Sequence, residues 1–250
     1  QTVSKAWPVL QAFTLDPGYV AQAAKPELGS RSVREWLQDN VDRIIARQSS
    51  TGEIGLWREG DGFVDPLLST SLVGFLASAA DAGFKLPPQA VASAYQWSHQ
   101  LILADNDLDS AKKIETLTAL VKNMAPHSKR VIRLARALSE EVAQSSAIAQ
   151  LRVAVALREL GDVERAERVL GAALNPSQAL GLTYYWSQLA VTGEFAELWY
   201  RLERSERAKA LERSLTGRLA LRPSEWLSVA EAGQILRVAV ARNTAHPLQL

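Results

Sequence analysis

Along most of this chain apolar residues return every three or four positions, and the places where that rhythm breaks mark out its elements. Thr2 to Phe13 predicts a first helix with Trp7, Leu10 and Phe13 on one face, although Pro8 requires that helix to start late or bend. Asp16, Pro17 and Gly18 break the pattern. Ser32 then caps a helix on which Val33, Trp36, Leu37, Val41, Ile44 and Ile45 form one stripe. Asp65 and Pro66 read as an N-cap followed by a proline in the first helical position. The helix they open carries Leu67, Leu68, Leu72, Phe75, Leu76 and Ala79 on one face, and Gly83 stands where a left-handed residue would end it.

Further helices follow from Pro87 and Pro88 to about Ala104, Ser110 to Met124, Ser128 to Val142, and Ser145 to Leu160 with a stop at Gly161. Asp162 caps the next, with Val163, Ala166, Val169 and Leu170 inward and Glu164 and Arg168 paired one turn apart. An apolar helix holding Leu180, Tyr184, Tyr185, Leu189 and Val191 is expected to break near Gly193. Phe195 to about Leu215 and Ser224 to Arg242 complete the set. The pattern thus predicts an all-α chain of eleven or twelve helices arranged as hairpins, with no stretch alternating at the period of a strand. Ala147 to Leu174 resembles a tetratricopeptide-like hairpin, but no 34-residue period continues to either side. Loss of the period favours a closed α/α toroid over an open solenoid.

Between the second and third of these helices the glycines Gly52, Gly55, Gly60 and Gly62 permit an irregular loop. Ile54, Leu56, Trp57 and Phe63 make it too apolar for a loose linker, so it is expected to pack, with Trp57 closing the end of a helical core.

Composition adds limits. The 250 residues are 47% hydrophobic and 22% charged, ordinary for a folded domain, and net charge is +1. That balance gives no general attraction to nucleic acid. Basic residues exceed acidic ones in the second half, around Arg201, Arg204, Arg207, Lys209, Arg213, Arg218 and Arg222. Glu203, Glu206 and Glu212 are interleaved there, as on a solvated helix face with pairs one turn apart. No apolar run is long enough to cross a membrane. There is no cysteine, hence no disulfide or thiolate metal site within these residues, and the start at Gln1 is expected of a piece of a longer parent.

His99, His127 and His246 form no ligand pair. Asp105, Asp107 and Asp109 mimic the start of a calcium loop, but Ser110 and Thr116 stand where glycine and glutamate are needed, so they read as helix-capping residues. No phosphate-binding loop, dinucleotide fingerprint or serine elbow is present. No metal, no cofactor and no catalytic residues are expected, and the chain is not expected to be an enzyme. A toroid enzyme and a non-covalent helical-repeat interaction scaffold remain as alternatives.

The run Gly55-Leu56-Trp57, a short gap, Asp65-Pro66, the Phe75-Leu76 pair and the Ala82-Gly83-Phe84 exit resembles the thioester-containing domain of the alpha-2-macroglobulin and complement family, in its bacterial branch. Gln1 and the residues after it resemble the segment at the family's Cys-x-Glu-Gln motif, with Gln1 in the place of the glutamine. Ala149 to Asp162 resembles a mid-domain helix, and Glu225 to Leu236 the tryptophan–serine–glutamate segment near the domain's end. The resemblance implies an α/α toroid over residues 1–243 and an exit segment, 244–250, toward the next domain. It implies a crosslinking role for Gln1, through a thioester with a cysteine preceding residue 1, and a structural role for Gly55, Leu56, Trp57, Asp65 and Pro66. It further implies a broad-spectrum endopeptidase inhibitor, a periplasmic parent anchored to the inner membrane by lipid, and as partners the proteases it traps and neighbouring domains of the parent. Complement-type relatives use a histidine to activate the thioester. Nothing around His127 matches that motif, and the role is not carried over.

Overall fold

The structure, a computed structural model, describes residues 2–23, 31–55, 66–104, 108–123, 129–142, 145–171, 187–221 and 227–245. Among them lie twelve α-helices and one isolated antiparallel bridge, Gln48 to Ile54, with no β-strand. The chain divides into two compact units, Gln1–Leu134 and Ala135–Leu250.

In the first unit α1 (Thr2–Leu15) runs through Pro8 rather than starting after it. Asp16 is the whole of the break: its carboxylate accepts the Tyr19 amide at 2.9 Å, and Pro17 opens a short α2 (Pro17–Ala23). The Asp-Pro device expected at Asp65 operates here. Helix α3 (Val33–Ile45) has a full capping box, with Glu35 Oε2 accepting the Ser32 amide at 2.8 Å and Ser32 Oγ accepting the Glu35 amide at 3.1 Å. These bonds from Ser32 hold the Glu35 carboxyl below its usual range, the nearby Arg31 charge assisting.

Helix α4 (Pro66–Asp81) begins at Pro66 and buries Leu72, Phe75, Leu76 and Ala79, the stripe read from the sequence, against α1, α5 (Ala90–Leu103) and α6 (Ser110–Asn123). It ends at Gly83 with φ 74°, the Phe84 amide reaching back to Ala79 O at 3.0 Å and the Gly83 amide to Ala80 O at 2.9 Å. Helix α3 holds this exit. Arg34 donates to Gly83 O at 2.6 Å and stacks over the Phe84 ring, while Gln38 both donates to and accepts from the Lys85 backbone at 2.9 Å. Asp109 Oδ1 accepts the Lys112 amide at 2.8 Å, which is the capping role expected of it; Asp105 and Asp107 lie outside the described residues.

Helix α7 (Lys129–Glu141) spans the division. The second unit then contains the α8 (Ala147–Glu159) and α9 (Val163–Gly171) hairpin, turning at Gly161 with φ 83°. Val163 is an exception to its expected face, being 46% exposed at the helix start. Asp162 is partly desolvated, which opposes its charge. The hydrogen bond and charge of Arg136, together with the Arg165 amide and guanidinium, outweigh that and hold its carboxyl low.

The largest departure from the expected elements is α10 (Gln188–Arg201). It passes without interruption through Gly193 and Phe195, where a break was expected, and ends instead at Glu203, a non-glycine residue at φ 58°. Leu189 and Val191 belong to α10, while Leu180, Tyr184 and Tyr185 lie outside the described residues. Gly193 is no helix breaker because it faces α12 (Val229–Ala245): a Cβ there would stand 2.7 Å from Gln234 Cγ. Helix α11 (Ser205–Ala220) covers another side of α10. The cations of this region pair mostly between helices rather than along one. Arg201 meets Glu159 at 2.6 Å, Arg204 meets Glu167 at 2.7 Å and Arg242 meets Glu212 at 2.7 Å.

Two predictions follow from this packing. Gly193→Ala should destabilise the chain by about 1–2 kcal/mol in chemical denaturation, the overlap with Gln234 exceeding the roughly 1 kcal/mol gained in helix propensity. In a Gln234→Ala background the same change should turn neutral or stabilising. For Asp162, whose folded pKa lies below its unfolded one, the stabilisation is present above about pH 4 and is lost as pH falls through the folded value. Asp162→Asn should accordingly flatten the acid limb of a stability–pH curve.

Candidate functional site

The stretch singled out in the sequence joins four helices. After α3 the chain turns at Ser49–Gly52, with the Ser49 amide donating to Glu53 O at 2.9 Å and the Gly55 amide to Arg47 O at 3.1 Å. Gly52 sits at φ 98° with its α-carbon face on α5, where a Cβ would meet Ser93 O at 2.1 Å. Gln48 Nε2 donates to Ala90 O at 2.8 Å, and Ser69 Oγ of α4 donates to Ile54 O at 3.3 Å. The turn is thus pinned to α5 on one side and α4 on the other. Ile54 and Gly55 are buried, as a packed loop requires.

Helix α1 enters the same core. Ala6 and Leu10 are buried with Ile54, Leu72, Phe75 and Leu76, and the Trp7 ring lies 6.0 Å from that of Phe75, tilted at 52°. Helix α1, through Ala6, Trp7 and Leu10, and the turn that ends at Gly55, through Ile54, are therefore built onto one apolar body. Gln1, Leu56, Trp57 and Asp65 themselves lie outside the described residues, as do His127 and His246; Gly55 is buried at the end of the turn and Pro66 is the first residue of α4.

His99 on α5 is half-buried beside the Tyr95 ring, 5.9 Å away, and burial together with the Arg130 charge pushes its pKa down. Burial likewise pushes the Tyr95 phenol up. Among the described residues no three His, Cys, Asp or Glu side chains gather as a metal ion would need, and no helix is long and apolar enough to cross a membrane.

The segment Glu225 to Leu236 resolves into two devices, as far as it is described. Ser228 and Glu231 form a capping box, Glu231 Oε2 accepting the Ser228 amide at 2.9 Å and Ser228 Oγ accepting the Glu231 amide at 3.2 Å. Gln234, six residues on, donates to Glu197 of α10 at 3.0 Å and accepts from Arg237, which reaches Glu197 at 3.4 Å. Sequence reading missed this buried amide–carboxylate–guanidinium set. Its one signal was a glutamate and a glutamine on otherwise apolar helical faces.

No family model matches the chain. Solved structures do. Salmonella alpha-2-macroglobulin reacted with methylamine aligns over 97% of this chain and 16% of its own, at 24% identity and TM-score 0.69. Native Escherichia coli alpha-2-macroglobulin from domain MG7 to the C-terminus aligns over 96% of this chain and 39% of its own, at 20% identity and TM-score 0.69. The fold is that of a segment of bacterial alpha-2-macroglobulin. A curated relative, an alpha-2-macroglobulin homolog of Yersinia pestis, is 36% identical over 72 residues, 27% of this chain and 4% of its own length. The resemblance to bacterial alpha-2-macroglobulin read from short motifs thus extends to the all-α, helical-hairpin fold over nearly the whole chain. The chain spans about one sixth of the length of the Salmonella alpha-2-macroglobulin structure it matches.

Because Gly52 combines a left-handed φ with contact against the α5 backbone, Gly52→Ala should cost about 2–4 kcal/mol, most of it from the collision with the Ser93 carbonyl. Gly161→Ala, where a Cβ meets nothing within 4 Å, should cost only about 1 kcal/mol. Denaturant titration of the two variants checks the difference.

Proposed function

We propose that residues 1–243 serve as the thioester-type α/α toroid domain of a bacterial alpha-2-macroglobulin-like protease trap, with 244–250 leading toward the next domain. The observation that carries this reading is the shared fold over 97% of the chain with an alpha-2-macroglobulin described as reacted with methylamine. The packing of α1 onto the body that also anchors the Gly55 turn supports it. Helix α1, which begins at the residue after Gln1, joins that core through Ala6, Trp7 and Leu10.

In this reading the side-chain carboxamide of Gln1 acylates the thiol of a cysteine three residues before it, the carbon–nitrogen bond breaking and ammonia leaving as the thioester forms. An attacking amine forms an amide at the glutamyl carbonyl, the carbon–sulfur bond breaks, and the thiol leaves with the proton. The group reacts once, so the domain is an acylating device rather than a catalyst. Proteases cleaving the parent are the partners to be captured, and a periplasmic, lipid-anchored parent is the setting proposed for them. Matched structures include Escherichia coli alpha-2-macroglobulin activated by porcine elastase, in line with a protease partner for the parent.

The test is made on the parent protein under native conditions, measuring free thiol and intact mass with and without methylamine. Release of one thiol with one methylamine added at Gln1 is expected. A folded parent that shows neither would overturn covalent capture and leave a steric role.

A further inference from the structure

Hydroxyl side chains on the helices of this chain commonly donate back to the carbonyl one turn before them. Thr118 bonds Ile114 O at 2.7 Å, Thr192 bonds Gln188 O at 2.7 Å, Thr216 bonds Glu212 O at 3.0 Å and Thr244 bonds Val240 O at 3.0 Å. Ser98 of α5 and Thr116 of α6 do not. Both are wholly buried, at 0% exposure, and neither Ser98 Oγ nor Thr116 Oγ1 has a hydrogen-bond partner among the described residues. Thr118 lies on the same helix as Thr116, so that helix permits the return bond that Thr116 forgoes. A buried hydroxyl that neither donates nor accepts is costly, and such a group calls for a partner.

The fold brings the two hydroxyls to one level. Helix α5 ends at Leu103 and α6 begins at Ser110, and so short a connection joins them as a hairpin. At the helical rise, Ser98 lies about 7.5 Å from the connected end of α5 and Thr116 about 9 Å from that of α6. Each of α4, α5 and α6 packs against the other two. Ser98 interrupts the buried stripe of α5, formed otherwise by Ala90, Ala94 and Ile102, and Thr116 is flanked on α6 by buried Leu117 and Leu120.

We propose that Ser98 and Thr116 together bind one water molecule inside the α4–α5–α6 core, the water donating to one hydroxyl and accepting from the other. The chemistry of the lining selects this occupant. Neutral hydroxyls among alkyl side chains suit a small neutral molecule that both donates and accepts. A metal ion would need a cluster of His, Asp or Glu side chains, and among the described residues no three gather. Helix carbonyls, each with a second lone pair, offer the third bond that buried waters usually make. The inference is independent of the proposed thioester chemistry.

The test is a double-mutant cycle on the 250-residue chain, comparing Ser98→Ala, Thr116→Val and the double variant by denaturant titration. Crystal structures of the unsubstituted chain and of Thr116→Val accompany it. Each single substitution should lower the folding constant about fivefold or more, because it leaves the water and the other hydroxyl short of a partner. The double variant should lose no more than either single one, both polar partners then being gone. Solvent density within hydrogen-bond distance of both Ser98 Oγ and Thr116 Oγ1 is expected in the unsubstituted chain and not in Thr116→Val, which keeps the shape of the side chain. Losses that multiply in the double variant would reveal two independent bonds, and a gain in stability from either single substitution would reveal a hydroxyl stranded without solvent. Either result, or an unsubstituted crystal structure without that density, would overturn the proposal.

Discussion

A helix enclosed by other helices must place every polar group it carries opposite a partner, and that constraint organises the second unit around α10. Most residues from Leu189 to Tyr200 are buried, Glu197 among them, and Glu194 is half-buried. Glu194 is met by Arg152 of α8 at 2.6 Å, and Glu197 by Gln234 and Arg237 of α12. A charge left in such a position without its partner is costly, so the partners dictate which helices can flank α10 and in what register. Tyr200 adds a third fixed point. Its hydroxyl donates to Glu212 of α11 at 2.6 Å, and burial, with that carboxylate, pushes the phenol up to about 12. Polar pairing thus sets register where apolar packing alone would tolerate sliding.

The first unit meets the same requirement mainly through backbone geometry. Its central helix α4 is apolar where it is enclosed apart from Ser69 and Thr70, of which Ser69 bonds Ile54 O, and the ordering falls to its ends: Pro66 at the start, and the Gly83 exit gripped by Arg34 and Gln38 of α3. The turn at Gly52 works in this way too, since the close approach to α5 is open only to a residue with no side chain. Function as proposed depends on that rigidity. An acylating group that must stay out of water until it is needed has to be held by a body that does not yield, and α1 is seated in such a body through Ala6, Trp7 and Leu10.

Three helix endings show how one backbone problem is answered by different residues. Gly83 and Gly161 take left-handed φ values without cost to a side chain, and both were readable as stops. Glu203 takes the same conformation at the end of α10 with the same return bonds, the Arg204 amide to Trp199 O and the Glu203 amide to Tyr200 O, both at 2.9 Å. Its carboxylate then pairs with Arg158 of α8 at 2.5 Å. No local signal marks a glutamate as a helix stop. The stop was therefore expected at Gly193 instead.

Local rules were enough to read the all-α class, the apolar stripes of α3 and α4, the caps at Ser32, Asp109 and Asp162, and the glycine stops, because each depends on residues within a turn or two of one another. Resemblance of short motifs also pointed to the alpha-2-macroglobulin fold that the aligned structures share. Only the tertiary structure decided the role of Gly193, the inter-helix partners of Arg201 and Arg204, and the burial of Glu197 with Gln234, whose positions are 37 residues apart. A glycine in a helix is a weakness when judged from its neighbours in sequence and a requirement when another helix lies against it. Which of these holds is set by distances through space, and those are fixed only when the helices pack.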